Sequence, residues 1–459
     1  MEPGTSLHFI GIGGIGVSAV ARIAIGKGYR VSGSDVRRSQ LTDAMAELGA
    51  RVHIGHDASH IDGVDVVVVS TAIPDHNVEL AAAKARGTRL LHRSELLAAF
   101  LSEGQTVGVT GTHGKGTTSS MITRILDAAG RDPGFIIGGL LLDYGVNARA
   151  GGGDLIVAEV DESDGSHRNV KVQHLVCNYL EADHLNYYDD LDHIIRSMAD
   201  AVRDNPRLER LYVNWECPGN HRLVNDELAE AGAAVVTYGV CEGADVRGEI
   251  IGDAQRPIRF RAWRRGEALG EFELSLPGRY NVTNALGAMA VAMELGAPVE
   301  AVRRALADFQ GLENRFTIVD AGGVILVKDY NSHPTAMRKV LASARDLSEG
   351  KVYSVFKPYR YTLTNYLKDE YATAFRGSDQ VVITTMYAAN EDPIPGIDTN
   401  FFVNMLREQG HDVVLVEDQD RITDYLHEQV RPGDQVMFFG GDDFFRMADA
   451  WAERLRAEG

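Results

Sequence analysis

Residues 108–121 read GVTGTHGKGTTSSM, and the 459-residue chain can be read outward from them. The apolar run QTVGVTG (105–111) leads in, and MITRILDAAG (121–130) leads out as a plausible helix. Strand, glycine-rich turn and helix together are the layout of a phosphate-binding loop. Its backbone amides cradle phosphates and a lysine neutralises them. Gly111, Thr112, Gly114, Lys115, Gly116, Thr117 and Thr118 are therefore candidate ATP-binding residues. The spelling departs from the usual one. A P-loop sets Ser or Thr directly after its lysine to hold magnesium; here Gly116 intervenes and the hydroxyls begin at Thr117.

Two acidic clusters follow further strands. AEVDESDGS (158–166) places Glu159, Asp161, Glu162 and Asp164 at and after a strand end, and EADHLNYY (181–188) offers Asp183 and His184. Magnesium takes oxygen ligands, with carboxylates and phosphates completing its shell. Acids at the carboxyl ends of parallel strands sit where open α/β sheets bind ligands.

Upstream, GIGGIG sets Gly11, Gly13 and Gly16 at G-x-G-x-x-G spacing, after the run LHFIGIG (7–13) and before a predicted helix over 17–28. Asp35 ends the next strand, YRVSGSD (29–35). This is the context of a dinucleotide fingerprint, with a helix N-terminus aimed at a diphosphate. The loop alone leaves three readings open: a nicotinamide dinucleotide, another diphosphate such as a UDP-sugar, or glycines that only pack helix on strand.

The rest of the chain repeats one pattern. VDVVVVST (64–71), LIVAEVDES (155–163), HLVCNYL (174–180), GGVILVKDY (322–330), KVYSVFKP (351–358), SDQVVITTMY (378–387), HDVVLVED (411–418) and DQVMFFGG (434–441) read as buried strands separated by helix-length segments. Strands alternating with helices imply covered parallel sheets. The linker-like FLSEGQ (100–105) and GLENRF (311–316) divide the chain into three consecutive α/β domains. Their expected spans are 1–103, Rossmann-like; 104–311, a P-loop ATPase-like parallel sheet; and 312–459, again Rossmann-like. With 46 basic against 65 acidic residues the net charge is −19, which argues against a nucleic-acid partner. Cys177, Cys217 and Cys241 form no C-x-x-C pair, so no zinc or disulfide framework is expected. MEPGTSLHFIGIGG lacks the basic and apolar regions of a secretory signal, and no stretch approaches the roughly 20 apolar residues of a membrane span. A cytoplasmic protein without a membrane partner is expected, either a monomer or a dimer.

Taken in order, HFIGIGGIGVSAVA, VSGSD, VVVSTAI, GVTGTHGKGTTSSM, AEVDESDGS, EADHLNYYDDLDHI, LPGRYNVTNALGAMAVA, ENRF and DYNSHPTAM resemble the Mur ligase family. The resemblance covers most of the chain. It implies a first domain for a UDP-sugar, a central one for ATP and Mg2+, and a third that closes over an amino acid. It also implies ATP-dependent amide formation through an acyl phosphate, in peptidoglycan precursor synthesis. The chain has no lysine between Lys171 and Lys328, so the carbamoylated lysine of several related ligases is absent. That agrees with the alanine-adding branch, whose substrates are UDP-N-acetylmuramate and L-alanine. The second reading is the same chemistry on another amine or carboxylate.

Carried over motif by motif, the resemblance gives Gly11, Gly13, Gly14, Gly16, Asp35, Ser70 and His113 to the UDP-sugar. It gives Lys115, Asn281, Asn284, Arg315 and Asp329 to ATP, and Thr117, Glu159 and His184 to the metal. The hydroxyl shift to Thr117 follows the GKG spelling of the related folylpolyglutamate synthetases. Lys115, Glu159, His184, Arg315 and His333 are implied in catalysis, and His333, Tyr330 and Arg360 in holding the amino acid. Several positions depart from the family. Tyr280 stands where histidine is usual. KDYNSHP brings Lys328, Asn331 and Ser332, and YRYTL brings Tyr359 and Leu363. Leu363 cannot hold a carboxylate as an arginine fork would. Arg360 or Lys357 is then expected to take that role, or the amine differs from alanine.

Overall fold

The computed structural model describes residues 1–102, 104–252, 257–388 and 391–458. The predicted boundary residue 103 and the last residue, 459, lie outside the described residues. The strands fall into three sheets.

The first sheet holds β1 (Ser6–Ile10), β2 (Arg30–Asp35), β3 (Arg51–Ile54), β4 (Val66–Val69) and β5 (Arg89–His92), all parallel, in the order β3-β2-β1-β4-β5. The chain reverses direction across the sheet between β1 and β4. The glycine loop after β1 and Ser70 after β4 therefore meet at a topological switch point, where such sheets bind ligands. The helix Ile15–Gly26 starts two residues before the expected position, directly on Gly14.

The central sheet has ten strands in the order β15-β14-β13-β12-β11-β10-β6-β9-β7-β8. They are β6 (Gln105–Thr110), β7 (Gly134–Leu141), β8 (Val146–Arg149), β9 (Leu155–Glu159), β10 (His174–Cys177), β11 (Arg210–Asn214), β12 (Val235–Gly239), β13 (Val246–Ile251), β14 (Ile258–Arg264) and β15 (Glu267–Leu274). From β7 through β13 the neighbours run parallel; β14, β15 and β8 add antiparallel edges. The expected parallel sheet is thus the middle of a mixed one. In β14, Ile258, Phe260 and Ala262 are buried while Arg259 and Arg261 face solvent, the period-2 pattern of a strand with one wet face. The order β10-β6-β9 matters most for function. It sets the segments after three adjacent strand ends, 111–116, 160–166 and 178–184, side by side.

The third sheet follows Leu312, which is still buried in the central core through a bridge to Leu141. It comprises β16 (Thr317–Ala321), β17 (Val324–Asp329), β18 (Val352–Phe356), β19 (Gln380–Ile383), β20 (Val413–Leu415) and β21 (Gln435–Phe439), in the order β16-β17-β21-β18-β19-β20. All pairs are parallel except β16 with β17. Each sheet is covered by helices. The cores are continuous enough that one apolar cluster runs from Leu7 and Phe9 of the first sheet to Ile136 and Ala158 of the central one. No helix among the described residues is long and apolar enough to cross a membrane.

Candidate active site

The loop after β6 turns on two glycines in the left-handed region, Gly111 (φ +109°) and Gly114 (φ +80°). A Cβ on Gly111 would lie 2.7 Å from the Tyr179 carbonyl oxygen, and one on Gly114 would lie 2.6 Å from Asn284 Oδ1. Both positions therefore need glycine for conformation and for space. The helix Lys115–Ala128 starts on Gly114 with no side-chain cap and no acid in its first turn. Its first amides and its dipole are left for an anion.

Lys115 folds back over the loop, donating to the Gly111 carbonyl at 2.8 Å and to Glu162 Oε1 at 2.9 Å. Burial alone would push its pKa down. Glu162, Asp161 and Glu159 outweigh that and hold it above the usual lysine range, so the ammonium stays charged. Glu162, itself buried, is held below its usual range by Lys115 and His184 against the cost of burial. The cation and its counter-charges are thus fixed before any nucleotide arrives.

Gly116 has a local reason for being glycine. A Cβ there would stand 2.8 Å from Leu312 Cδ1 and 3.2 Å from Glu159 Oε2. The two hydroxyls that follow part company. Thr118 is fully buried and accepts from Asn178 Nδ2 at 2.9 Å, whereas Thr117 lines the cavity above the loop, as does Glu159. Glu159 Oε2 accepts the Gly138 amide at 2.7 Å. A hydroxyl and a carboxylate facing one cavity are the hard oxygen donors that magnesium takes, so these two residues fit that ion. His184 lies elsewhere: its Nε2 is 3.3 Å from Glu162 Oε1, behind Lys115, and the residue does not line the cavity.

The cavity is about 560 Å³ and lies between the central and third sheets, a size suited to a nucleotide-like ligand. Asn281 and Asn284, on the helix Arg279–Glu294, line it. Their amides chain together: Asn284 Nδ2 donates to Asn281 Oδ1 at 3.1 Å, and Asn281 Nδ2 to the Pro277 carbonyl at 2.7 Å. Arg315 and Asp329 line the opposite wall. Asp329 accepts the Phe316 and Asn331 amides, both at 2.9 Å. Burial raises its pKa despite the opposing pull of Arg315.

His113 and His333 meet across the seam, with ring centroids 4.8 Å apart, and both contact Glu181. His113 thus stands at the meeting of the phosphate loop and the third domain. Tyr330 is half exposed, its ring beneath the Arg315 guanidinium at 5.6 Å. Arg360 is engaged by Glu391 at 3.3 Å and Lys357 by Asp443 at 2.7 Å, while Leu363 is buried in the third domain's apolar core. Both cations expected to replace the missing arginine are already neutralised by carboxylates.

In the first domain, Gly11 (φ +78°) donates to the Ser34 carbonyl at 2.8 Å, and the Gly13 amide to Asp35 Oδ2 at 2.9 Å. Gly14 starts the uncapped helix Ile15–Gly26. Under Gly16 lies Arg93, which pairs with Asp161 of the central domain at 2.9 Å. The sequence sets Glu162 among the acids suited to magnesium, whereas the structure pairs it with Lys115; Glu181 and Asn178 carry no expected role. All three follow the carboxyl ends of β9 or β10, and that placement was the available signal.

Three family models match the chain in succession. "Mur ligase family, catalytic domain" covers residues 6–105, "Mur ligase middle domain" 109–292, and "Mur ligase, glutamate ligase domain" 314–441. A UDP-N-acetylmuramate–L-alanine ligase of Symbiobacterium thermophilum is 40% identical over 470 residues, spanning 98% of this chain and 95% of that one. One of Anaeromyxobacter sp. (strain Fw109-5) is 38% identical over 438 residues, 95% of each chain. Among solved structures, the UDP-N-acetylmuramate-alanine ligase of Thermotoga maritima superposes with a TM-score of 0.83 at 24% identity, covering 99% and 100% of the two chains. The murein peptide ligase of Psychrobacter arcticus 273-4 gives 0.73 at 21% identity, covering 99% of each. With three successive models and near-full-length relatives agreeing, the chain belongs to the Mur ligase family.

Proposed function

We propose that this chain is an ATP-dependent ligase that joins L-alanine to the carboxylate of UDP-N-acetylmuramate, in peptidoglycan precursor synthesis. The observation that carries the reading is the uncapped phosphate loop with its charged Lys115, facing a cavity walled by Asn281, Asn284, Arg315 and Asp329. The first glycine loop, also ending in an uncapped helix, takes the sugar diphosphate.

In this reading Lys115 meets the ATP phosphates and stabilises charge as the γ-phosphoryl group moves to the muramyl carboxylate. The carboxylate oxygen bonds to phosphorus, ADP leaves, and the resulting acyl phosphate is attacked by the amine, which expels phosphate. Arg315 approaches the phosphates from the third domain. Asp329 and the paired asparagines hold the nucleoside end, and His333 borders the amine's entry. Thr117 and Glu159 would hold a magnesium ion, which would supply further neutralisation of phosphate charge. His184 acts one step back, by fixing Glu162 behind Lys115.

A second reading has a specific observation in its favour. With Leu363 buried and Arg360 and Lys357 already paired, neither cation at 357–363 is free for an α-carboxylate. The same chemistry would then serve another amine. ADP release with UDP-N-acetylmuramate and a panel of alanine, glycine and serine decides between them. Strict dependence on alanine supports the first reading and equal use of the panel the second. No ADP with any amine overturns both.

A further inference from the structure

At the carboxyl edge of the first sheet lies a buried carboxylate to which the proposed reaction gives no task. Glu79 stands in the first turn of the helix Val78–Arg86 and is fully buried. Asn77 caps that helix, its Oδ1 accepting the Glu79 amide at 3.0 Å, which fixes where the side chain starts. Ser34, near the end of β2, donates its hydroxyl to Glu79 Oε2, and His56 Nδ1 is 3.1 Å from the same oxygen. Oε1 accepts the Asp57 amide at 3.3 Å and lies 2.6 Å from His60 Nδ1. His8 Nε2 faces Oε2 at 3.6 Å and has no hydrogen-bond partner. Among the described residues, the ion-pair partners of Glu79 are these three imidazoles, with no lysine or arginine.

A carboxylate is costly to bury unless it is paired and hydrogen-bonded. Replacing such a buried network by well-packed apolar residues is often neutral or stabilising, so stability alone does not explain it. What the network adds is direction. Ser34 is held on two sides: Glu79 takes its hydroxyl, and its carbonyl accepts the amides of Gly11 at 2.8 Å and Ile12 at 3.0 Å. The next residue, Asp35, takes the Gly13 amide at 2.9 Å, and its carbonyl accepts the Gly55 amide at 2.8 Å. Three successive amides of the first glycine loop therefore hang on the end of β2. That end in turn aims the uncapped start of the helix Ile15–Gly26, and Glu79 is its polar anchor.

We propose that Glu79 is a positioning residue for the sugar diphosphate, acting through Ser34 on the first glycine loop without touching the ligand. The inference rests on the reading that this loop takes a UDP-sugar. Burial alone would push the Glu79 carboxyl up, yet His8, Ser34 and His60 draw it down to about 2, so the anchor is ionised. An ionised carboxylate only accepts hydrogen bonds, and both of its oxygens are needed here. Oε2 holds the strand that carries the loop, while Oε1 holds the segment after β3. A loop fixed in this way meets its ligand already ordered, which lowers the cost of binding. Glu79→Gln keeps the shape but leaves one acceptor oxygen for two sets of donors, so one side is released.

The test is calorimetric titration of the full chain with UDP-N-acetylmuramate, without ATP. Glu79→Gln should raise the Kd about tenfold, the scale of one buried hydrogen bond left unmade, with stoichiometry unchanged. Partial unfolding would instead lower the bound fraction. In turnover, the KM for the sugar nucleotide should rise by more than kcat falls, and the KM for ATP should stay as in the parent. Ser34→Ala, which cuts the link and spares the carboxylate, should raise the Kd alike. It carries the test if Glu79→Gln does not fold. Because both residues act along one chain of contacts, Ser34→Ala/Glu79→Gln should bind no more weakly than Ser34→Ala alone. Parental affinity in either single variant, or additive losses in the double one, would overturn the proposal while leaving the ligase reading intact. A parent chain that binds no UDP-N-acetylmuramate would overturn that reading and the proposal with it.

Discussion

The molecule carries two glycine loops built alike. Each follows a strand with parallel neighbours on both sides, turns on a glycine at positive φ, and opens a helix with no side-chain cap. Either one can hold a diphosphate. They differ in the charge around them. The first closes on its own carboxylate, Asp35, which takes the Gly13 amide, and its nearest cation, Arg93, is turned to Asp161. The second carries a lysine inside the loop and three acids packed against it. Backbone geometry suffices to grip phosphate; moving a phosphoryl group needs charge held in place where it develops. In the proposed reaction the first loop serves the former and the second serves both.

The largest test of that contrast is Lys115→Met. If the second loop alone serves transfer, ADP release should fall by a factor of about 10²–10³ or more. Binding of the UDP-sugar at the first loop, measured by calorimetry without ATP, should be unchanged. Because the substitution leaves buried Glu162 without its partner, Lys115→Met/Glu162→Gln is the companion variant, separating lost folding from lost chemistry.

Next in size are paired glycine substitutions. Gly114→Ala forces a Cβ within 2.6 Å of Asn284 Oδ1 at φ +80°. Gly13→Ala sets one 2.9 Å from Asp35 Oδ2 and 2.8 Å from Thr42 Cγ2. The former should raise the Kd for ATP about tenfold, or about 1.4 kcal/mol, and leave the sugar nucleotide alone. The latter should do the reverse. Crossed effects would show that the loops do not serve separate ligands.

A smaller effect separates the two hydroxyls after Gly116. Thr117→Ala should raise the Mg2+ concentration needed for half-maximal rate with little change in melting temperature. Thr118→Val should leave the Mg2+ requirement alone but lower stability by about 1–3 kcal/mol, because Asn178 loses a buried partner. Equal Mg2+ effects would sink the assignment of Thr117.

Both loops were legible in the sequence for a physical reason. Glycine at positive φ, a buried strand before it and a helix after it are local demands that single residues record. Parallel strands with unbroken apolar runs, such as β1, β9 and β18, were legible; β11 (Arg210–Asn214) and β12 (Val235–Gly239), also parallel, were not. The strands β14 and β15 were missed because their signal is alternation, as in IRFRAWR, where Arg259 and Arg261 separate Ile258, Phe260 and Ala262. What lay beyond reach was pairing across long separations. Nothing in EADH announces that Glu181 meets His113 and His333, or that His184 turns toward Glu162 rather than into the cavity. Leu363 showed that a carboxylate ligand was missing. That Arg360 and Lys357 had been taken by Glu391 and Asp443 depends on how distant segments fold over them.

The smallest effect concerns the tie between the loops, Arg93–Asp161. Burial alone would push Asp161 up, but Lys115 first and Arg93 second draw its pKa down to about 2. A carboxylate depressed in the folded state contributes stability that is fully present above its unfolded value of about 3.9 and is lost as the pH falls toward the folded value. Between about pH 4 and pH 2 the ligand-free chain should therefore lose this contribution. Arg93→Ala, which removes the weaker of the two cations, should lose less over the same window, so the melting temperatures of parent and variant should converge as acid is added. The pair is partly exposed and salt-screened, so the gap above pH 4 should be small and should narrow in high salt. A gap that stays constant down to pH 2 would mean that Asp161 answers to Lys115 alone, and that the first loop is not electrostatically joined to the second.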